Sequence, residues 1–284
     1  MQSHSFIIRR RVLLALGGLT LARFVGAADI DEKRTGGPYV PTPQIVVDEM
    51  LRLGKVGPSD FVIDLGSGDG VIVLTAAQKH KARGFGVDID PELVKLSNNE
   101  AKKRGLEDRV AFHVQDVFKA DISKATVVTL YLLPGMMVNL RPKILNELKP
   151  GTRVVSHDYH FDDWTADEQL TWDVPEKEKV NGIGKATVYV WIVPAKISGR
   201  WQVRLDSGEQ HELTLRQQYQ NFNGADTRGN KLMSTQLRGD EITFALPAPL
   251  SRQFKGRVAG ESMSGVVEIA GGKTARWTAT KVKA

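Results

Sequence analysis

The sequence predicts an α/β fold with a Rossmann-like sheet, followed by a smaller antiparallel β domain. Between residues 61 and 194, short apolar runs alternate with segments of helical periodicity, which is typical of a parallel sheet with helical crossovers. A turn with three glycines, residues 66–70, follows the first apolar run directly. After residue 197 the pattern changes to short strands separated by glycine-containing turns, which indicates a barrel or a sandwich.

The elements follow from these patterns in chain order. The predicted helices are residues 44–53, 71–79, 91–104 and 135–148. The predicted strands of the α/β part are residues 62–65, 83–88, 110–114, 126–131, 153–156 and 185–193. The predicted strands of the second part are residues 201–205, 210–215, 232–237, 241–246, 253–258, 264–269 and 274–280. Residues 174–184, which are rich in Pro, Lys and Gly, are expected to form a loop.

The first residues of the chain have the composition of an export signal. Three arginines, Arg9 to Arg11, precede the apolar residues 12–22, and small residues at 25–27 form a cleavage site. The apolar run is shorter than the roughly 20 residues that a membrane-spanning helix needs. We therefore expect a signal peptide and a periplasmic protein, with an uncleaved N-terminal anchor on the cytoplasmic face as the alternative.

The chain then divides into four predicted parts: the signal at 1–27, an N-terminal lid segment and helix at 28–60, the α/β domain at 61–196 and the β domain at 197–284. The formal net charge of +6 is uneven, because residues 28–196 sum to −3 and residues 197–284 to +5. A basic domain can attract nucleic acid or an anionic membrane. Here the charges are scattered, so we expect no specific nucleic-acid partner, and association with the cell envelope stays an option.

The glycine turn carries the strongest indication of a ligand. Gly66, Gly68 and Gly70 let the backbone take positive φ angles and approach a ligand closely. The spacing differs from the G-x-G-x-x-G of dinucleotide folds, and Asp64 and Asp69 flank it. Carboxylates would repel a pyrophosphate but attract an amino group or a sulfonium. The pattern D-x-G-x-G-x-G is similar to motif I of the class I S-adenosylmethionine (SAM) methyltransferases; a nucleotide site and a structural turn are the alternatives.

Two further acids follow successive predicted strands. Asp88 ends the second strand about 20 residues after the glycine turn, where a carboxylate can accept hydrogen bonds from both ribose hydroxyls. Asp90 precedes Pro91 and is expected to cap the next helix. Asp116, with Val117 beside it, follows the third strand and fits contact with the adenine amino group and ring. Capping of the next turn is the alternative for Asp116.

The segment before the first strand carries a more specific resemblance. Pro38-Tyr39-Val40-Pro41, a helix and then D-x-G-S-G-D-G together resemble a family of protein-lysine methyltransferases. This family includes the mitochondrial enzymes that methylate the ATP synthase c-subunit and the adenine nucleotide translocase, and it has bacterial relatives. A simple linker is the alternative interpretation of the proline-rich segment.

The resemblance implies a seven-strand methyltransferase sheet and SAM as the cofactor. It makes Tyr39 and Pro41 part of a lid over the cofactor. It also makes the acidic glycine loop the binding site for the methionine end of the cofactor and places Asp88 on the ribose. The residues of this loop site are Asp64, Gly66, Gly68, Asp69 and Gly70.

The acceptor side is expected after the fourth and fifth strands. The sequence L-Y-L-L-P-G at 130–135 lacks the Asn/Asp-Pro-Pro-Tyr/Phe motif with which DNA-adenine and glutamine methyltransferases hold a planar nitrogen. An aromatic and apolar rim instead favours a lysine stem or a hydrophobic small molecule. Tyr131 is the predicted substrate-channel residue, and packing beneath the loop is its alternative.

Residues 156–164 contain two His and three Asp, among which His157 or Asp158 is a candidate base. The spacing does not favour a metal site, so none is predicted, and an ordinary polar loop is the alternative. The leading hypothesis is a SAM-dependent methyltransferase that modifies a protein lysine. A small-molecule methyltransferase and an exported, non-catalytic binding protein on the same scaffold are the alternatives, and the sequence does not predict the oligomeric state.

Overall fold

The computed structural model describes residues 38–283, except 249, 270 and 271. The predicted export signal lies outside the described residues. No helix within the described part of the chain is both long and apolar enough to cross a membrane.

A seven-stranded sheet forms the first part of the structure, and this confirms the predicted fold class. Its strands, in chain order, are β1 (Phe61–Leu65), β2 (Arg83–Asp88), β3 (Val110–Val114), β4 (Val127–Leu130), β5 (Arg153–His157), β6 (Glu168–Asp173) and β7 (Lys185–Ile192). They are ordered β3-β2-β1-β4-β5-β7-β6, with the first five parallel and β7 antiparallel to both of its neighbours.

Helices cover both faces of this sheet, so its central strands are buried along nearly their whole length. The helices are α1 (Gln44–Leu53), α2 (Val71–His80), α3 (Pro91–Lys103), α4 (Pro134–Glu147) and α5 (Pro175–Asn181). The predicted cap of α3 is confirmed, because the Asp90 carboxylate accepts a 2.9 Å hydrogen bond from the Glu92 N–H.

Two elements of this part differ from the sequence-based expectation. The sequence E-Q-L-T-W-D was not predicted to form a strand, yet it forms β6 at the sheet edge. Most of its side chains are exposed, so it lacks the apolar run that marks the buried strands. Part of the expected loop at 174–184 forms α5, which places Lys177 against β7.

An eight-stranded antiparallel sheet forms the second part. Its strands are β8 (Gly199–Leu205), β9 (Gln210–Gln218), β10 (Asn221–Asp226), β11 (Met233–Arg238), β12 (Glu241–Leu246), β13 (Arg252–Ala259), β14 (Ser262–Ile269) and β15 (Lys273–Lys281). The hydrogen-bonded order is β10-β9-β8-β15-β14-β13-β12-β11. The strand β10 was missed because its sequence, N-F-N-G-A-D, is polar and contains glycine.

The two ends of this order meet in a hairpin, which closes the sheet. The Leu232 N–H donates a 2.9 Å hydrogen bond to the Gly224 carbonyl, and Ala225 forms a bridge with Lys231. Side chains fill the interior, including Trp201, Phe244, Phe254 and Trp277. Of the two architectures expected, the closed sheet is the observed one.

Candidate functional site

The glycine loop between β1 and α2 has the backbone conformation that its sequence predicts. The φ angles of Gly66, Gly68 and Gly70 are +81°, +52° and +80°. A Cβ atom at Gly68 would lie 2.5 Å from the ring of Tyr39, and one at Gly66 would lie 2.6 Å from Leu132. Side chains at these positions are therefore excluded both by backbone strain and by contact.

Asp88 holds this loop in place. One carboxylate oxygen accepts a 2.8 Å hydrogen bond from the Gly68 N–H, and the other accepts one of 2.9 Å from the Asp90 N–H. The Ser97 hydroxyl on α3 lies 2.9 Å from the Gly68 carbonyl and 2.8 Å from the Leu93 carbonyl, and these two acceptors share its one proton. Each carboxylate oxygen keeps a lone pair for a further donor. The ribose contact of Asp88 stays a prediction, and Ser97 is a loop-positioning residue that the sequence analysis missed.

Asp64 lies buried at the end of β1, where it accepts a 2.7 Å hydrogen bond from the Thr129 hydroxyl. The pKa of Asp64 is raised to about 7, mainly by burial; the Thr129 hydrogen bond lowers it, and the charges of Asp88 and Asp69 contribute to the rise. This group of carboxylates fits a cationic ligand. A positive group beside Asp64 would favour the ionised form, as the amino and sulfonium groups of SAM would.

Tyr39 lies over the glycine loop, and its role as a lid over the cofactor stays a prediction. Its ring faces Gly68, and its hydroxyl hydrogen-bonds the carboxylate of Asp69. Partial burial, followed by the nearby negative charge of Asp69, raises the pKa of Tyr39 well above its ordinary value. Pro41 lies exposed two residues further along the same segment. Its share in the lid stays a prediction.

The segment after β3 lies against the end of β2, because the Gln115 N–H donates to the Asp88 carbonyl at 2.9 Å. Asp116 caps the following turn by accepting a 2.9 Å hydrogen bond from the Phe118 N–H, while the side chain of Val117 is buried. The turn-capping alternative is therefore observed. The adenine contacts of Asp116 and Val117 stay predictions.

Two exposed apolar side chains accompany these acids and were missed by the sequence analysis. Ile89 directly follows Asp88, and Phe118 follows two residues after Asp116. They are 47% and 38% exposed, respectively. Ile89 could have been identified from the sequence, because it is an apolar residue that directly follows an acidic residue at the end of a strand.

An aromatic group lies at the carboxyl ends of β4 and β5. The ring of Tyr131 lies 4.1 Å from that of His157 and stacks on that of Tyr159 at 6.1 Å, measured between centroids. His157 is buried, and neither of its ring nitrogens makes a hydrogen bond. Burial lowers the pKa of His157 to about 4, and the charge of Lys177 acts in the same direction against that of Asp158. The imidazole is therefore neutral at physiological pH.

The carboxylate of Asp158 is already engaged. It forms an ion pair with the buried Lys177 and accepts a 3.1 Å hydrogen bond from the Thr187 N–H. The backbone of Asp158 is left-handed, with φ of +62°. The Nε2 atom of His157 lies 3.4 Å from the Oδ1 atom of Asp158. A base role for Asp158 stays a prediction, but this geometry favours a structural role. No sequence signal identified Lys177, because its partner is distant along the chain.

Comparison with known proteins agrees with this geometry. Residues 64–168 match the family model described as the ANTKMT methyltransferase domain. The chain is 40% identical over 157 residues to a protein-lysine N-methyltransferase of Saccharolobus islandicus, an alignment that covers 55% of this chain and 93% of that enzyme. The chain belongs to this methyltransferase family.

Other relatives of the methyltransferase align over a smaller share of their length. It is 33% identical to the lysine N-methyltransferase of the ATP synthase c-subunit from Xenopus laevis, over 46% of this chain and 57% of that enzyme. It is 32% identical to the adenine nucleotide translocase lysine N-methyltransferase of Mus musculus, over 57% and 65%. The chain thus spans just over half the length of the Xenopus relative and about two thirds that of the mouse one.

A solved structure identifies the cofactor. The methyltransferase shares 49% sequence identity with a crystal structure described as an RNA methyltransferase from Salinibacter ruber, in complex with S-adenosyl-L-homocysteine. The TM-score is 0.50, and the match covers 56% of this chain and 96% of that one. Together with the family and the carboxylate-lined glycine loop, this makes the protein an enzyme that uses SAM.

The His- and Asp-rich segment after β5 does not gather into a metal site. Among residues 38–283 that the structure describes, no group of three or more His, Asp or Glu side chains is placed to hold a metal ion. Asp158 pairs with Lys177, and Asp163 pairs with Arg141. The polar residues of this segment instead tie it to its neighbours.

Proposed function

We propose that the enzyme transfers a methyl group from SAM to a lysine side chain of a protein. The Saccharolobus islandicus relative, of which this chain covers 93%, is named a protein-lysine N-methyltransferase, and the Xenopus laevis and Mus musculus relatives are also named lysine N-methyltransferases. A protein acceptor is thus favoured over the small-molecule acceptor that the sequence also permits. The family relationship likewise favours an enzyme over a non-catalytic binding protein.

The aromatic group of Tyr131, His157 and Tyr159 is the observation that carries the acceptor assignment. A lysine amine must lose its proton before it can act as a nucleophile. Apolar and aromatic surroundings favour the neutral amine by lowering its pKa. The nearby Asp158 carboxylate is occupied by Lys177, so it does not hold the acceptor in its charged form.

His157 has a defined part in this proposal. With a pKa of about 4, its imidazole takes up little proton at neutral pH, and its ring is buried. We therefore assign it to supporting the Tyr131 ring, and not to acting as the base. Tyr131, whose ring covers that of His157, forms the channel wall.

The cofactor contacts follow from the residues that fit it. Bound SAM supplies an electrophilic methyl group, and the protein must hold the acceptor in line with it. Asp64 and Asp69 would hold the amino group, Asp88 the ribose, and Asp116 with Val117 the adenine. Tyr39 would exclude water by closing over the glycine loop.

The direct test is incubation of the full chain with isotopically labelled SAM and a cell-envelope extract, followed by mass spectrometry. We expect labelled methyl groups on lysine side chains, and no labelling by the Asp88→Ala variant, which loses the support of Gly68. A parallel incubation with total RNA examines the activity named for the Salinibacter ruber protein. Label found on RNA or only on small molecules would contradict the lysine assignment.

We also propose that residues 1–27 direct the enzyme out of the cytoplasm. The basic, apolar and small-residue segments of this region support export, and an envelope extract is therefore the first acceptor mixture to examine.

A further inference from the structure

The turn between β9 and β10 of the closed sheet projects onto the methyltransferase part. This turn consists of Tyr219 and Gln220, and the residue Tyr219 has a left-handed backbone with φ of +54°. Tyr219 packs against the hydrophobic core of the seven-stranded sheet. A bulky residue in this conformation is uncommon, so the surrounding contacts must hold it there.

Tyr219 makes two contacts with the loop between β5 and β6 and one with α4. Its hydroxyl donates to the carboxylate of Asp163, with distances of 3.0 and 3.1 Å to the two oxygens. Its ring stacks on that of Trp164, with centroids 5.7 Å apart. The guanidinium of Arg141 on α4 lies over the Tyr219 ring, 5.6 Å from its centroid.

Gln220 adds two hydrogen bonds to the same loop. Its side-chain oxygen accepts one of 2.9 Å from the Trp164 indole N–H, and its nitrogen donates one of 2.7 Å to the Thr165 carbonyl. Both ends of one amide are therefore used on neighbouring residues of the loop. This fixes the orientation of the loop as well as its position.

The loop held in this way continues directly into the acceptor side. Residues 158–165 follow His157 and include Tyr159, whose carbonyl accepts a hydrogen bond from the Ser156 hydroxyl. Arg141 donates to the Phe161 carbonyl at 2.8 Å and pairs with Asp163. Arg141 lies on α4, which begins shortly after Tyr131. Both segments that carry the aromatic group are thus tied to Tyr219.

The closed sheet docks at a second place, which does not involve this loop. There the turn at Gly239 lies against Gly151, and the Ala195 N–H donates to the Gly239 carbonyl at 2.8 Å. The exposed Lys196 donates to the Asn146 side chain at 2.8 Å. These contacts lie near the start of β5, whereas the aromatic group lies at the other end of that strand. They provide docking without contact to the acceptor side.

We propose that Tyr219 and Gln220 are positioning residues, through which the C-terminal closed sheet orders the β5–β6 loop that forms the acceptor side of the methyltransferase site. The inference rests on the proposed function, since it takes Tyr131, His157 and Tyr159 as the place of the acceptor. The closed sheet is then part of the acceptor site.

Tyr219→Phe and Gln220→Ala test this in the full chain, with Lys196→Ala as the matched control at the second docking place. Tyr219→Phe keeps the ring and removes only the hydroxyl donor. In hydrogen–deuterium exchange, we expect amides of residues 158–165 to exchange roughly fivefold faster in both variants, as the loss of an ordinary hydrogen bond implies. The control variant Lys196→Ala should leave the exchange rates of residues 158–165 unchanged.

Activity measurements with labelled SAM then connect the loop to the acceptor. We expect the concentration of envelope extract at half-maximal rate to rise about fivefold in both variants. S-adenosylhomocysteine binding, measured by calorimetry, should stay as in the unaltered enzyme. A purely structural defect would instead weaken the response to envelope extract and S-adenosylhomocysteine binding together, and it would lower the melting temperature.

The outcomes separate this inference from the proposed function. Unchanged exchange in residues 158–165 overturns the positioning role, whatever the acceptor is. Faster exchange with an unchanged response to envelope extract overturns the link to the acceptor side. An unaltered enzyme that methylates no lysine contradicts the proposed function alone, because the exchange measurement needs no methyl transfer.

Discussion

The Thr129 hydroxyl on β4 donates a 2.7 Å hydrogen bond to the buried carboxylate of Asp64 on β1. This contact joins two parallel strands beneath the glycine loop. It is the interaction that favours the ionised form of Asp64, against burial and the charges of Asp88 and Asp69. The charge beneath the glycine loop therefore depends on a residue that does not belong to the glycine motif.

Cofactor affinity should depend on pH through Asp64. Its pKa is raised from 3.8 to about 7, so the carboxyl group is neutral at pH 5.5 and mostly ionised at pH 8. Since the ionised form attracts the cofactor amino group, we expect S-adenosylhomocysteine to bind more tightly as pH rises through 7. Calorimetry at several pH values measures this. In Asp64→Asn the rise should disappear, and equal pH dependence in both proteins would contradict the assignment.

The raised pKa of Asp64 makes the stability of the ligand-free enzyme depend on pH in the opposite direction to cofactor affinity. The folded state binds more protons than the unfolded chain between pH 4 and 7, so this group stabilises the fold at low pH and loses that effect as pH rises through 7. Thr129→Val removes the opposing hydrogen bond. It should raise the pH at which the cofactor binds well.

Gly68→Ala should abolish most cofactor binding. The added Cβ would lie 2.5 Å from Tyr39, and the backbone has a φ of +52°. Gly105→Ala is the matched control, because Gly105 also has a positive φ, of +63°, but nothing lies within 4 Å of its Cβ position. Both variants bear a backbone strain of about 1–2 kcal/mol. Calorimetry should show at least a tenfold loss of affinity in Gly68→Ala only; equal losses would mean that strain, and not the lid contact, is responsible.

His157 should make the fold sensitive to acid. Its pKa is lowered from 6.5 to about 4, so the folded state binds fewer protons than the unfolded chain in this range. The contribution of His157 to stability should fall as pH decreases below 6.5, by on the order of 3 kcal/mol at pH 4. Thermal unfolding of His157→Phe should show a weaker pH dependence below 6.5. An unchanged profile would contradict the burial of a neutral imidazole.

Lys177→Met should destabilise the enzyme by about 3–5 kcal/mol, because it leaves the Asp158 carboxylate partly buried without its counter-ion. The double variant Lys177→Met with Asp158→Asn should recover much of that loss. Asparagine tolerates the left-handed backbone of this position, with its φ of +62°. Chemical denaturation of the two single variants and the double variant forms the cycle. Additive losses would show that the two side chains do not interact.

The predicted export signal is open to a simple measurement. Production of the full chain in a bacterium should yield a processed protein in the periplasmic fraction, with an N-terminus near residue 28. N-terminal sequencing and mass spectrometry of the fractions determine this. Replacement of Arg9, Arg10 and Arg11 by neutral residues should reduce processing, since the basic segment precedes the apolar one. An intact N-terminus in the cytoplasmic fraction would contradict export.

The conformation of the glycine loop and the position of its acids could be predicted closely because their determinants are local. Gly66, Gly68 and Gly70 adopt the positive φ angles that only glycine takes without strain, and Asp64 and Asp88 lie at strand ends. Parallel strands bring successive carboxyl ends to one edge, so order along the chain predicts proximity in space. The capping role of Asp90 followed in the same way, from a neighbouring proline.

The aromatic group at the ends of β4 and β5 could not be predicted to the same extent. Tyr131 and His157 were singled out as separate candidates, and only the pairing of β4 with β5 brings their rings to 4.1 Å. The strands β6 and β10 were missed because their polar sequences lack an apolar pattern.

The sequence by itself determined the fold class, the glycine loop and its acids, because backbone conformation and strand order are written in short stretches of chain. The tertiary structure alone decided that Lys177 neutralises Asp158 and that Tyr219 holds Asp163 and Trp164. These contacts join residues that are distant in the chain. Their energies depend on burial and on the surrounding charges, which exist only once the sheets have packed.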